Sequence, residues 1–365
     1  MVAMLPGVLR TALLAGSIAA VTLAGACATQ AASAAGTTII TVQVANRDGS
    51  APGPEAMKTV RDSLTSRLTG AGLGQVAVSA DGSTLLVSMA GAHSVSELNL
   101  LLAPGELRFR KVIDSASELR MVAPDGPPGP VGAPVAGPTP AQSAVLAKLG
   151  AAATVAAGLS SPSQLDPDMT QRLEPFWTLT PAEVAALPVA MQFAVPQITC
   201  ETLNSRPLGA IDDKTAQVVA CDAAGLYKYL LDRTAVVGDD VADATAASGA
   251  DGVGWKVELA FTASGAPKWT DLTAEAFTNR GGACRATSPN ANGGAGVCQV
   301  AIVADNDVVS APAIQAVIAS NCEITGNYTM QTAEAMAARI RGGAIPFRLT
   351  VVSIVGPSAG TSTHT

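Results

Sequence analysis

The chain has 365 residues, 48% of them apolar, which is enough for one large or two modest domains with a real core. A net charge of −7 without a basic block disfavours nucleic-acid binding, and only two histidines, His93 and His364, leave little room for His-based catalysis or metal sites. Aromatics are 3% of the chain, while 35 glycines and 23 prolines imply many turns.

The N-terminus reads as a targeting segment. Arg10 precedes an apolar run over residues 11–26 that becomes dense in small residues, the layout of a secretory signal and too short and Ala-rich for a permanent span. Leu23-Ala24-Gly25-Ala26-Cys27 resembles a bacterial lipobox, in which Cys27 is diacylated and becomes the first mature residue, although Ala24 stands where Leu is preferred. The alternative is ordinary cleavage after Ala34, at Ala32-Ser33-Ala34, with Cys27 discarded. Either route places the mature chain outside the cytoplasm.

From residue 37 the pattern becomes regular. Residues 37–44 are β-branched and predict a strand. Residues 54–68 predict a helix with Met57, Val60, Leu64 and Leu68 on one face and Arg61 and Arg67 off it, stopped by the glycines at 70–74. Strands at 76–79 and 84–89 are joined by Ala80-Asp81-Gly82, a hairpin signal. Ser94 caps a helix through Leu102, with Glu97 completing a capping box. The alternating stretch 105–112 is expected to close a β-α-β-β-α-β unit, the ferredoxin-like split arrangement.

Residues 121–140 read as a linker, because seven prolines from Pro124 to Pro140 favour extended backbone. An Ala-rich helix weakened by Gly150 follows over 141–159, then a surface loop at 162–175 and a short capped helix opened by Thr180-Pro181. Residues 194–200 and 218–221 are short strand candidates, and 227–231 is a stronger one. Beyond Cys27 there are five cysteines. Cys200 and Cys221 bracket one loop, and Cys284 and Cys298 bracket a second, Gly-rich one. Two local disulfides are the simplest arrangement in an oxidising compartment. Metal binding is the rival reading, without a C-x-x-C spacing to support it. Cys322 is left over as a partly buried free thiol at a turn.

Near the C-terminus, alternation over 255–261 predicts a strand, Ser264-Gly265-Ala266-Pro267 a turn, and residues 269–277 a helix. Residues 297–303 suit a strand buried on both faces, followed by an Asp305-Asn306-Asp307 turn and a short strand at 308–309. Pro312 is placed to open a helix, Thr329 to cap another over 330–340, and residues 347–354 to form a final strand. Trp255, Phe261, Trp269 and Phe277 fall on inward faces and read as core. No nucleophile–base pair accompanies either histidine, Gly70–Gly74 follows a helix and not a strand, and the acidic turns at Asp239-Asp240 and Asp305 are explained by turn chemistry. No catalysis, metal or cofactor is expected.

Several ordered motifs resemble the extracytoplasmic part of SecD, the accessory membrane subunit of the bacterial Sec export machinery. They are Arg67 to Gly74, Leu107 to Arg110, Gly238 with Asp240-Val241, Asp305, Ser310-Ala311-Pro312, Ile324-Thr325-Gly326, Ala333-Glu334-Ala335, Arg341-Gly342-Gly343 with Pro346, and Val355-Gly356-Pro357-Ser358. The resemblance implies an α+β protein of two lobes, a ferredoxin-like base and a second α+β head, with a Pro-rich linker between. The divisions expected are a signal (1–34), base (37–119), linker with short helices (120–193), disulfide-containing connection (194–251), head (252–343), a strand at 344–356 returning to the base, and a tail (357–365). SecD carries transmembrane helices that no stretch here supplies, so its proton-conducting residues have no counterparts. The implied function is non-catalytic: binding exported, unfolded polypeptides or Sec translocon subunits at the outer membrane face, tethered by a lipid on Cys27. The alternative is an envelope lipoprotein that uses the fold to bind a small ligand or an unrelated protein, for which a closed pocket is expected.

Overall fold

The structure, a computed structural model, describes residues 36–46, 49–93, 95–118, 137–160, 162, 166–207, 209–249, 252, 254–281, 283–285, 297–319 and 321–356. Cys27, the Ala34 cleavage site, Ser94, most of the Pro-rich segment, His364 and the tail lie outside them. The chain is α+β, with two open sheets flanking a closed five-stranded barrel.

The base opens with β1 (Thr37–Ala45), whose alternate residues Ile40, Val42 and Val44 are buried. α1 (Pro54–Gly70) lays Met57, Val60, Leu64 and Leu68 over that face. Pro54 starts α1 at no hydrogen-bonding cost, since the first N–H groups of a helix have no internal partner. β2 (Val76–Asp81) and β3 (Thr84–Ala90) form the hairpin, and α2 (Val95–Leu102) follows. Arg67 departs from expectation. It is wholly buried, on the same face as Val60 seven residues earlier.

β4 (Leu107–Ser117) does not close this sheet. The fourth position, beside β1, is taken by β12 (Arg348–Val355), giving the order β12-β1-β3-β2. The reason is burial. The first eight residues of β4 are all buried, so the strand needs cover on both faces, whereas β12 is half-buried or exposed throughout and suits an edge. β4 instead joins the barrel with β5 (Val218–Asp222), β6 (Tyr227–Val237), β9 (Val300–Ala304) and β10 (Asp307–Ser310), in the order β10-β5-β6-β4-β9.

Beyond the Pro-rich stretch, of which only residues 137–140 are described, the expected short helices form a folded layer. α3 (Pro140–Leu149) and α4 (Ala151–Ala157) are separated at Gly150, whose φ of 52° breaks the helix. α5 (Pro167–Arg172), a 3-10 turn at Glu174–Thr178, α6 (Pro181–Ala186) and α7 (Val189–Ala194) follow. α6 has the full Thr180–Glu183 capping box. These helices bury Leu173, Phe176, Phe193 and Val195 against Ile113, Val219 and Leu230 of the barrel. Residues 194–200, a strand candidate by sequence, are a helix end and a turn. Thr199 then caps α8 (Cys200–Asn204) by accepting from the Thr202 N–H. The hydroxyl cap wins because the segment ends one helix and starts another within six residues, which leaves no ladder to join.

The head sheet contains β7 (Val241–Ser248), β8 (Trp255–Phe261) and β11 (Cys322–Tyr328), ordered β11-β8-β7. The expected turn at 264–267 is the first turn of α9 (Gly265–Phe277), where Pro267 is tolerated. Pro312 opens no helix. Its carbonyl accepts from Val300 N–H (3.1 Å) and Ile314 N–H donates to Cys298 (3.0 Å), so this backbone is committed to the flank of β9. Cys322 opens a strand and is not in a turn. α10 (Met330–Arg341), capped by Thr329, is shared. Ala333, Met336 and Ala337 enter the head core, while Ala335 and Ala338 enter the base core. Small side chains around the helix let two cores approach one axis.

Candidate functional site

Two regions gather the residues singled out by sequence. The first is an open groove of about 660 Å³ in the head. Its buried floor is formed by Ile314, Trp269 of α9, Ile302 of β9 and Cys322 of β11, and its accessible apolar surface by Pro312, Ala313, Ala316 and Ile318 of the irregular segment after β10. Trp269 stacks on Phe261 with centroids 5.4 Å apart and meets Phe109 edge-on at 5.7 Å, which holds the indole rigidly. Its buried Nε1–H has no acceptor among the described residues. Burial, and then the Glu323 charge, push the Cys322 thiol up to about 12, so it is a neutral, inert wall group at neutral pH. On the rim, Lys256 Nζ lies 2.9 Å from Glu258 and 2.5 Å from Glu323. Those contacts, to Glu323 first, raise the Lys256 pKa.

Pro312 lines this groove. Ser310 ends β10, and the Ala311 carbonyl accepts from Gln299 Nε2 at 2.7 Å. Gly326 lies in β11 where the register with β8 shifts, its open side filled by the Tyr328 ring.

The second region is the junction of base, barrel and head. Asp305, held at φ 56° in the β9–β10 turn, accepts from Glu106 N–H (2.9 Å) through one carboxylate oxygen and from Arg339 of α10 through the other. Arg67 donates to the carbonyls of Leu101 (3.2 Å), Ala103 (2.5 Å), Pro104 (2.6 Å) and Gly343. Burial, followed by the Arg339 charge, pushes its pKa down to about 9, so it remains a cation at pH 7. Arg341 donates to the carbonyls of Ala244 in β7 and Gly70 at the end of α1. A Cβ on Gly342 would stand 2.3 Å from Arg67 Cγ, so only glycine fits against that side chain. Pro346 closes a small crevice with Asp305 and Glu106. Asp305, Arg341, Gly342 and Pro346 therefore form a clamp among three units, away from the groove. Sequence reading missed Arg67 and Arg339 as its centre. For Arg67, the seven-residue spacing from Val60 was the available signal.

The cysteines pair as Cys200–Cys221 and Cys284–Cys298, with Cα separations of 5.6 and 5.9 Å. The first pair ties α8 to β5 and lies close to Glu118, but joined sulfurs offer no thiolate for a metal. His93 contacts the Ala90 carbonyl at 3.0 Å in the base.

Residues 216–347 match the family profile "SecDF, P1 head subdomain". This chain is SecD-like. The matched stretch runs from two residues before β5 to the residue before β12, so it holds the groove, the head sheet and most of the clamp. The protein translocase subunit SecD of Streptomyces coelicolor is 34% identical over 157 residues, which are 41% of this chain and 25% of that protein. SecD of Mycobacterium tuberculosis is 29% identical over 162 residues, 43% of this chain and 24% of the relative. This chain thus spans about a quarter of the length of these relatives. Among solved structures, SecDF in its super-membrane-facing form aligns with 88% of this chain and 30% of its own, at 18% identity and a TM-score of 0.45. No helix among the described residues is long and apolar enough to cross a membrane.

Proposed function

We propose that this chain is a non-catalytic accessory of protein export that works on the outer face of the cell membrane, holding extended stretches of exported polypeptide in the head groove. The observation that carries this reading is the coincidence of the SecDF head match with the lobe that contains the open, apolar groove. An unfolded chain offers apolar side chains and unsatisfied backbone groups, and a groove open at its sides accepts a segment of a long chain where an enclosed pocket does not. The base and clamp serve as the mount. Export by the N-terminal signal, a lipid on Cys27 and docking beside Sec translocon subunits complete the reading.

The test is photo-crosslinking in cells that carry a precursor stalled during export, with the probe at Gln315 or Asn321 on the groove and at Lys58 on the base as the control. Crosslinks from the groove to the stalled precursor, absent from the base, are expected. A well-folded, exported protein whose groove probes capture no precursor overturns the reading.

A further inference from the structure

Asn321, Cys322, Glu323 and Thr325 all line the groove, whereas β8 contributes only Glu258. Successive side chains of a strand point to opposite faces, so a cavity that touches 321, 322 and 323 together runs along the strand's edge and not over one face. β11 is the terminal strand of the head sheet and ladders only with β8 among the described residues. No described side chain bonds to the backbone of Cys322, Glu323, Ile324 or Thr325. The opposite edge of the same sheet is treated differently. In β7 the Ala244 carbonyl accepts from Arg341 and the Ala244 N–H donates to Asp243 (2.8 Å), so that edge is blocked by side chains. Exposed edges are normally blunted by lysine, proline or cover, and residues 322–325 carry neither lysine nor proline. The facing wall, after Pro312, is already committed, with Ile314 N–H donating to the Cys298 carbonyl just before β9 and Ile318 N–H to the Thr273 hydroxyl of α9.

Resting on the proposed polypeptide-binding role, we infer that the groove recognises its client by strand addition: an extended segment pairs its backbone with the free edge of β11. Apolar side chains on one face of the added strand meet Pro312, Ala313, Ala316 and Ile318, above the buried floor of Trp269, Ile302 and Ile314. The other face meets Glu258 and Glu323, two carboxylates that share the single ammonium of Lys256, so lysine or arginine is favoured there. Main-chain pairing supplies affinity without a fixed sequence, and the alternation supplies a preference for apolar–basic segments.

The test is a fluorescence-anisotropy titration of the full mature chain with the labelled peptide TVKVTVKVT and two derivatives, N-methylated on the valines or on the threonines and lysines. Only one alternate set of N–H groups faces the edge of β11. One methylated peptide is therefore expected to bind about 10-fold or more weakly than the parent, and the other within about 3-fold. Equal binding by all three, or equal loss by both derivatives, overturns strand addition while leaving a polypeptide groove intact. Failure of the parent peptide to bind overturns the groove reading itself and this inference with it. A second arm uses Glu323→Lys, which changes an exposed residue and keeps the fold. It is expected to weaken TVKVTVKVT several-fold and to strengthen TVEVTVEVT, and an unchanged ratio overturns the charge preference.

Discussion

Arg67→Leu is the substitution whose consequence follows most directly from the geometry. The guanidinium serves four carbonyls, those of Leu101, Ala103, Pro104 and Gly343. Pro104 keeps a second donor, the Ile345 N–H at 2.7 Å, so the leucine leaves three carbonyls stripped of this partner. A stranded buried acceptor costs roughly 1–3 kcal/mol, while the mutation also removes a desolvated cation and its repulsion with Arg339, which offsets part of the loss. A net destabilisation of about 3 kcal/mol is expected, a large share of the roughly 5–15 kcal/mol that holds a domain folded. Urea unfolding followed by tryptophan fluorescence is a demanding assay. Trp255 and Trp269 report the head, Trp177 reports the helical layer, and none of the three lies in the base. Because α10 carries both cores, loss of the base anchor should lower the head midpoint as well. Arg61→Leu, on the exposed side of α1, is the control and should shift stability by no more than about 0.5 kcal/mol. A loss below about 1 kcal/mol in Arg67→Leu, or a head midpoint that does not move, refutes the clamp.

Other outcomes follow from the same structure. Gly342→Ala drives a methyl group into Arg67 Cγ at normal φ, so it should cost about 1–3 kcal/mol in urea melts, and in an Arg67→Ala background, which lacks that Cγ, most of this added cost should disappear. Cys322 should react with maleimide at pH 8 about 1,000-fold more slowly in the folded protein than in urea, because its thiol is held near 12 against an ordinary 9; comparable rates would refute its burial. Burial pushes Lys228 down to about 8 from 10.5, with Glu118 opposing. Here the unfolded chain binds the proton more tightly, so the penalty is fully present below pH 8 and is relieved as pH rises toward 10.5. Lys228→Met should remove that upward component from the stability–pH profile, and an unchanged slope over pH 8–10.5 would refute it. Replacing the Cys200–Cys221 pair by alanines opens a link 21 residues apart and should lower stability by about 3 kcal/mol, with calorimetry as the check.

Local chemistry made much of the fold legible. Thr180 with Glu183, Thr329 before α10, the Asp81-Gly82 hairpin and the break at Gly150 are short-range devices, each written in a few adjacent residues. The two disulfides close short loops, which made local pairing the simplest arrangement while spacing alone left the connectivity open. The ordered SecD-like motifs pointed to the head that the family profile matches. What failed was non-local. The alternation of residues 105–112 predicted closure of the base sheet, but that strand pairs in the barrel, and the place beside β1 went to β12, the late strand already expected to return to the base. Arg67 read as a solvent-facing residue because charge usually marks a surface; only the convergence of four carbonyls from distant segments makes its burial tolerable.

The sequence by itself determined most of the element types, several caps and breaks and the family likeness of the head, because each depends on neighbours along the chain. Tertiary structure decided the rest. It sorted β4 into the barrel, turned the Ala-rich helices into a layer with its own core, and gathered Asp305, Arg339 and Arg67 at one junction. It also left one edge of the head sheet open beside an apolar groove and blocked the other. A strand's residues set which face it buries, but the partner that satisfies its edge is chosen by packing across the whole molecule.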